Sequence, residues 1–181
     1  MASQEDLLDR LREQVPEFGL IGDPDLRGRC ERTWLRALEM GGFAPEDLDR
    51  IPNSLLTARP VGFGQSKRAV ARMCAAMCDV LLDAYGDRIQ LDRDVLLAGA
   101  LLADVGKFLE YLEKDGQWEK SAKGRYLRHP FSGVALAYAE GVPDAVLHVI
   151  ATHSKEGDPF PRSPESIVFH HADFTDFELL G

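Results

Sequence analysis

The apolar residues of this chain recur at helical spacing along most of its length, with no alternating stretch of the kind a strand needs and no internal repeat. A period near about 3.6 residues lays an apolar stripe along one side of a helix, so the chain is expected to be all-α. Leu7, Leu8, Leu11 and Val15 share a stripe behind Ser3, a good capping residue, and predict a helix over residues 4–14. Cys30, Trp34, Leu35 and Leu38 predict a second over 28–40, ended by Gly41-Gly42. Pro45-Glu46-Asp47 predicts a short helical turn, and 51–64, rich in turn formers and without periodicity, an ordered loop or lid. Val70, Met73, Cys74, Met77 and Leu81 stripe a long helix over 65–85, which Gly86-Asp87 stops. The next helix runs over 92–104, with 105–112 open as its continuation, and the polar, Gly-bearing segment 113–128 is expected to be a loop. Three shorter helices follow, over 130–140, 143–153 and 163–175. The expected organisation is one domain, with residues 1–61 as an N-terminal helical extension packed on a bundle formed by 62–181.

Charge narrows the choice of partners. Lys plus Arg number 21 against 30 for Asp plus Glu, a net charge of -9. That balance argues against nucleic-acid phosphates and anionic membranes as partners. The longest apolar stretch, residues 95–103, falls far short of the roughly 20 residues of a membrane span. Cys30, Cys74 and Cys78 are an odd set that gives no disulfide framework, and Met1-Ala2-Ser3-Gln4-Glu5-Asp6 lacks a secretory pattern, so a reduced, cytoplasmic protein is expected. Cys74 and Cys78 stand one turn apart, but with Met73 and Met77 beside them they read as a soft core face. Gly62-Phe63-Gly64 is too short for a phosphate loop and follows no strand, and Trp34 and Trp118 read as packing residues.

Residues able to do chemistry gather at the expected helix exits. Asp104 ends a run, Leu96-Leu97-Ala98-Gly99-Ala100-Leu101-Leu102-Ala103, that is apolar on nearly all sides. A carboxylate emerging from such a core is costly unless paired or bound to a metal, the plain alternative being a polar cap of the following turn. His129 precedes Pro130, which favours an extended backbone at the mouth of a helix, and His153 ends the run Val149-Ile150-Ala151-Thr152 at a turn. Each alone is an ordinary surface or capping histidine; three metal-type donors at helix exits make a ligand list. His148 and His153 lie about 140° apart around one helix, so they cannot readily share an ion, and His148 reads as a partly buried structural residue. His170 and Asp173 share a helix face, whereas His171 points elsewhere, so His170 is the natural neighbour of Asp173 or simply packs.

These segments, in this order, resemble the histidine-aspartate (HD) domain superfamily over about residues 62–177. Ala98-Gly99-Ala100-Leu101-Leu102-Ala103-Asp104-Val105-Gly106-Lys107 is similar to the family's signature around its His-Asp pair. Arg128-His129-Pro130-Phe131-Ser132-Gly133 resembles its second histidine element, Ile150-Ala151-Thr152-His153-Ser154 its third, and Val168-Phe169-His170-His171-Ala172-Asp173-Phe174 its terminal aspartate element. The resemblance implies an all-helical bundle that holds one or two metal ions and usually hydrolyses phosphoesters. The chain departs from the pattern twice: Gln65-Ser66-Lys67 stand where the first histidine is expected, and Ala103 replaces the histidine of the pair. By the resemblance, one ion site keeps only Asp104 and Asp173, while the other keeps Asp104, His129 and His153, so at most a single ion is expected.

The expected function is that of a phosphohydrolase-like protein with a reduced metal site, acting on a phosphoester of a small molecule or nucleotide. Its cofactor would be one divalent ion, with Mn, Mg, Fe, Ni and Zn not distinguished by an O/N donor set and metal-free protein left open. Lys107, with Lys67 or Arg128, would offset charge on phosphoryl oxygens, and Asp173 would orient water or act as base. Glu156 is a second candidate for proton transfer or for holding an imidazole by its other nitrogen. For Lys107, Arg128 and Glu156 the plain alternative is solvated surface charge. The competing class is a non-catalytic protein of the same fold that binds a nucleotide, a phosphate-bearing effector or a protein partner in the pocket, with a cationic Lys67 in the vacated position. Mixed-valent di-iron chemistry needs both ions and is disfavoured. The N-terminal 60 residues would cover one side of the bundle, shaping the pocket or a homodimer contact.

Overall fold

The computed structural model describes residues 3–57 and 60–180. Residues 58 and 59, within the loop expected over 51–64, lie outside the described residues, as do 1, 2 and 181. Helices α1 (Gln4–Gln14) and α2 (Pro24–Gly41) form an N-terminal pair, followed by α3 (Phe63–Tyr85), α4 (Arg93–Leu102) and the single turn α5 (Lys107–Glu110). A hairpin of β1 (Tyr111–Lys114) and β2 (Gln117–Lys120) comes next, then α6 (His129–Ala139), α7 (Asp144–Thr152) and α8 (Pro164–Leu180). Among the described residues, no helix is long and apolar enough to cross a membrane.

Local chemistry sets most of these bounds. Ser3 caps α1 reciprocally with Asp6, its hydroxyl accepting from the Asp6 N–H at 3.1 Å while the Asp6 carboxylate accepts from the Ser3 N–H at 2.9 Å. The second helix starts earlier than the stripe predicts, because Asp23 accepts from the N–H groups of Asp25 and Leu26 and Pro24 takes the first helical position. Asp92 caps α4 in the same way. The last helix runs on to Leu180, beyond the expected 175, through residues that carry no apolar stripe.

The hairpin corrects the expectation of a strandless loop over 113–128. Asp115 and Gly116 both take positive φ, 51° and 74°, the geometry of a two-residue Asp-Gly hairpin turn. Tyr111 pairs with Lys120 and Lys114 with Gln117. Tyr111 is buried and Leu112 and Trp118 half-buried while the rest faces solvent, so no alternation marks the strands in the sequence.

Helix α4 is the axis of the bundle. Every residue from Leu96 to Leu102 is buried, and α4 packs against α2, α3, α7 and α8. Gly99 permits the approach of α7, since a Cβ there would meet the Val149 side chain at 2.6 Å. The other half of the core is aromatic: Trp34 lies edge-on to Phe18, Phe63 and Phe108 at ring separations of 5.5–5.6 Å. Its indole N–H donates to the Leu101 carbonyl at 2.8 Å, in the last turn of α4. Trp118 also packs, 5.9 Å from the Phe43 ring and under the Arg50 guanidinium.

Candidate functional site

Asp104 stands in the turn that leaves α4, with its carbonyl accepting from the Lys107 N–H at 2.8 Å. That turn is pressed onto the start of α6 at Gly106, where any Cβ would collide with the His129 carbonyl oxygen and come within 2.8 Å of the Gly133 nitrogen. His129 is the first residue of α6, not an extended residue ahead of it: Arg128 takes the extended N-cap conformation, and Pro130 is tolerated inside the first turn. His153 caps the C-terminus of α7. Three helix ends therefore converge, and Asp104, His129 and His153 are 2%, 5% and 1% exposed.

Their ligand atoms form a near-equilateral triangle. Asp104 Oδ1 lies 3.3 Å from His129 Nε2 and 3.6 Å from His153 Nε2, and the two Nε2 atoms are 3.3 Å apart. Bonds of about 2.0–2.2 Å to one ion put neighbouring donors about 3.0–3.5 Å apart, so the triangle fits a single cation.

The hydrogen bonds behind the triangle strengthen that fit. His153 Nδ1 meets the Ile150 carbonyl at 2.8 Å, and His129 Nδ1 meets the Glu110 carboxylate at 3.0 Å. Both partners can only accept, so each Nδ1 carries a proton, and the neutral ring then turns its Nε2 lone pair inward. Burial pushes the His129 pKa down to about 4, against the opposing pull of Glu110 and Asp104. Two imidazole nitrogens and a carboxylate oxygen thus face one another, a donor set that could hold a cation.

Glu110 was not singled out from sequence, and it is the hub of this support. It is 1% exposed, and its Oε2 also accepts the His129 backbone N–H at 2.8 Å. Its Oε1 pairs with Arg128 and, at 3.4 Å, with Lys120. Burial raises its pKa, but His129 and Arg128 overcome that and bring it down to about 2. The signal available in the sequence was a lone carboxylate within the apolar run Phe108-Leu109-Glu110-Tyr111.

The other expected residues fall into distinct places. Asp173 lines the cavity but lies outside the three-donor cluster. Lys67 is fully buried and bonded to Asp104 Oδ2, with Asp173 Oδ1 at 3.4 Å, and does not line the cavity. Burial works against both charges of the Lys67–Asp104 pair, yet Lys107 and Lys67 hold the Asp104 carboxyl well below its usual range, and Asp104 and Asp173 hold the Lys67 ammonium above its own. Lys107 Nζ reaches Asp104 Oδ1 at 3.0 Å and donates to the Asn53 carbonyl at 2.7 Å. Glu156 holds no imidazole; it pairs with Arg128 at 2.9 Å and accepts from Ser154. His170 sits behind the site, its Nδ1 2.9 Å from the His153 carbonyl and its ring 4.4 Å from that of Phe174. At the positions of the missing histidines, Ser66 donates to Asp176 at 2.7 Å and Ala103 is buried. His148 accepts from the Ser163 N–H at 3.2 Å, away from the triangle.

The triangle opens into a cavity of about 350 Å³, at the small end of ligand pockets. Leu55, Tyr111, Phe174 and Phe177 line its apolar part, and Lys107, Lys120, Arg128 and Lys155 its cationic part. Lys120 and Arg128 are engaged with acidic partners, whereas exposed Lys155 forms no ion pair among the described residues.

Comparison with known proteins bears on this geometry. The family model of the HD domain matches residues 68–177. The chain is 33% identical over 113 residues to the dihydroneopterin 2',3'-cyclic phosphate phosphodiesterase of Methanocaldococcus jannaschii. That match covers 61% of this chain and 44% of the relative, so the chain spans less than half of the relative's length. No solved structure matches the chain significantly.

Proposed function

Because the chain belongs to the HD-domain family, we propose that it is a metal-dependent phosphohydrolase of a small phosphorylated molecule, using one divalent ion held by Asp104, His129 and His153. The observation that carries this reading is the inward-facing triangle of one carboxylate oxygen and two imidazole nitrogens. When bound, an ion there supplies Lewis acidity toward water and a phosphoryl oxygen.

The chain's own residues do the remaining work. Glu110 and the Ile150 carbonyl keep both imidazoles in the ligating tautomer and orientation. Lys107 and Lys155 offset negative charge on the phosphoryl oxygens, while Arg128, shared between Glu110 and Glu156, fixes the wall between them. Asp173, on the cavity surface, orients water or accepts its proton. The organic part of the substrate lies against Leu55, Phe174 and Phe177, which excludes water from that side. The relative's activity on a cyclic phosphate supports a cyclic phosphodiester as the first substrate class to try.

Protein purified without chelator is analysed for transition metals and assayed in added Mn²⁺ on aryl phosphates and 2',3'-cyclic phosphates. The expected result is up to one ion per chain and turnover that Asp104→Asn abolishes. Absence of both metal and turnover defeats the reading. In its place would stand a non-catalytic binder of a phosphate-bearing effector, which one observation favours: Asp104 is already flanked by two ammonium groups, Lys67 and Lys107.

A further inference from the structure

Asp104 divides its two oxygens between two environments. Oδ1 faces the imidazole pair and Lys107, while Oδ2 takes a hydrogen bond from Lys67 Nζ on the opposite side. The same ammonium reaches Asp173 Oδ1 at 3.4 Å and stands 5.9 Å from the centre of the Phe63 ring. Lysine normally runs its stem along a surface and leaves its charge in water. Lys67 instead is sealed inside the bundle with no exposure, and only paired carboxylates make that burial tolerable. Two carboxylates closing on one cation is also how hard divalent ions are held. Here the cation between the two carboxylates is a side chain of the protein itself.

We propose that Lys67 is a built-in cation occupying a second cation position of this site, so that only the position at Asp104, His129 and His153 takes an exchangeable divalent ion. The inference rests on the metal reading given above and deepens it. It accounts for the division of labour within Asp104: the ammonium engages Oδ2, so the carboxylate offers an ion Oδ1 alone. It also sets the charge of the site. Lys67 and Lys107 balance Asp104 and Asp173 before any ion enters, which leaves the charge of a bound ion available to an anionic substrate.

The test counts ions. Chelator-stripped wild type and Lys67→Met are dialysed against Mn²⁺, bound metal is measured by elemental analysis, and electron paramagnetic resonance reports any spin-coupled pair. Lys67→Met is expected to bind one ion more per chain than wild type. Equal counts overturn the inference. A second bound ion in the wild type, coupled to the first, overturns it as well, and that measurement decides the matter even where Lys67→Met does not fold. The wild-type count separately judges the hydrolase reading: no ion on wild type with one on the variant removes that reading and upholds the role of Lys67.

Discussion

Glu110→Gln removes one charge from behind the triangle of Asp104, His129 and His153 while preserving the shape of the side chain. In the native protein Oε2 receives two N–H groups from His129, at 2.8 and 3.0 Å, and Oε1 receives Arg128. Glutamine has one accepting oxygen and a donating NH₂, so either His129 or Arg128 must then face a donor. A hydrogen bond to a charged group contributes about 1.5–3 kcal/mol, which at about 1.36 kcal/mol per decade is roughly 10- to 150-fold. Groups that orient a histidine ligand change metal affinity by about 10–100-fold. The two routes agree on a loss of about 10–100-fold in Mn²⁺ affinity, measured by calorimetric titration of chelator-stripped protein near neutral pH. The same loss lowers the melting temperature by about 3–12 °C, at about 2–4 °C per kcal/mol for a domain of this size, so the variant is still folded in the assay. A folded Glu110→Gln protein that binds Mn²⁺ within about twofold of wild type would refute the argument that Glu110 prepares His129.

Other perturbations read other parts of the structure. Gly106→Ala forces the Asp104 turn off α6 and should cost about 1–3 kcal/mol of overpacking, visible as a lower denaturant midpoint together with weaker metal binding; an unchanged midpoint removes the close approach as a cause of the geometry. For metal-free protein, the folded state holds His129 down at about 4 while the unfolded chain protonates near 6.5. Between those values the unfolded state binds more protons, so stability is full above about pH 6.5 and lost as pH falls toward about 4. Glu110 extends the loss through the window from about 4.5 to about 2. Denaturant midpoints that stay flat between about pH 7 and 4 contradict this sign. Phe174→Ala should raise KM by up to about tenfold with little change in kcat, since a cavity wall binds substrate and transition state alike; an equal fall in kcat would instead place Phe174 in the chemistry.

The bundle was readable because its helices carry their own punctuation. Ser3 and Asp92 cap them where the helices were expected to begin, although Asp23 was passed over, and the apolar run before Asp104 reads as a buried helix with a charge at its exit. Asp104, His129 and His153 were legible for the same reason, since each stands at a helix end. The hairpin was not, because its residues face water on most sides and only Asp115-Gly116 betrays the turn. Glu110 escaped because Arg128 and His129, its partners beyond the hairpin, lie 18 and 19 positions away, and no local period connects them. For Lys67, sequence position indicated nearness to the site, while the choice of Asp104 and Asp173 as its partners arises only from the packing of α3 against α4 and α8.

The hydrogen bond from Trp34 to the Leu101 carbonyl has a bearing on how this protein can be shortened. The family match begins at residue 68, well after α2, yet the helix end that carries Asp104 is tied down by a side chain of α2. Trimming at the start of the match would retain every proposed metal donor and discard the indole that steadies the first of them. It would also remove Phe63 and Lys67 themselves and uncover Phe108 in the α5 turn, which packs on Trp34 and Phe63. The smallest piece expected to present the triangle correctly therefore reaches back to Asp23, and an inactive fragment that keeps Lys67 but lacks α2 would speak of lost scaffolding, not of missing chemistry.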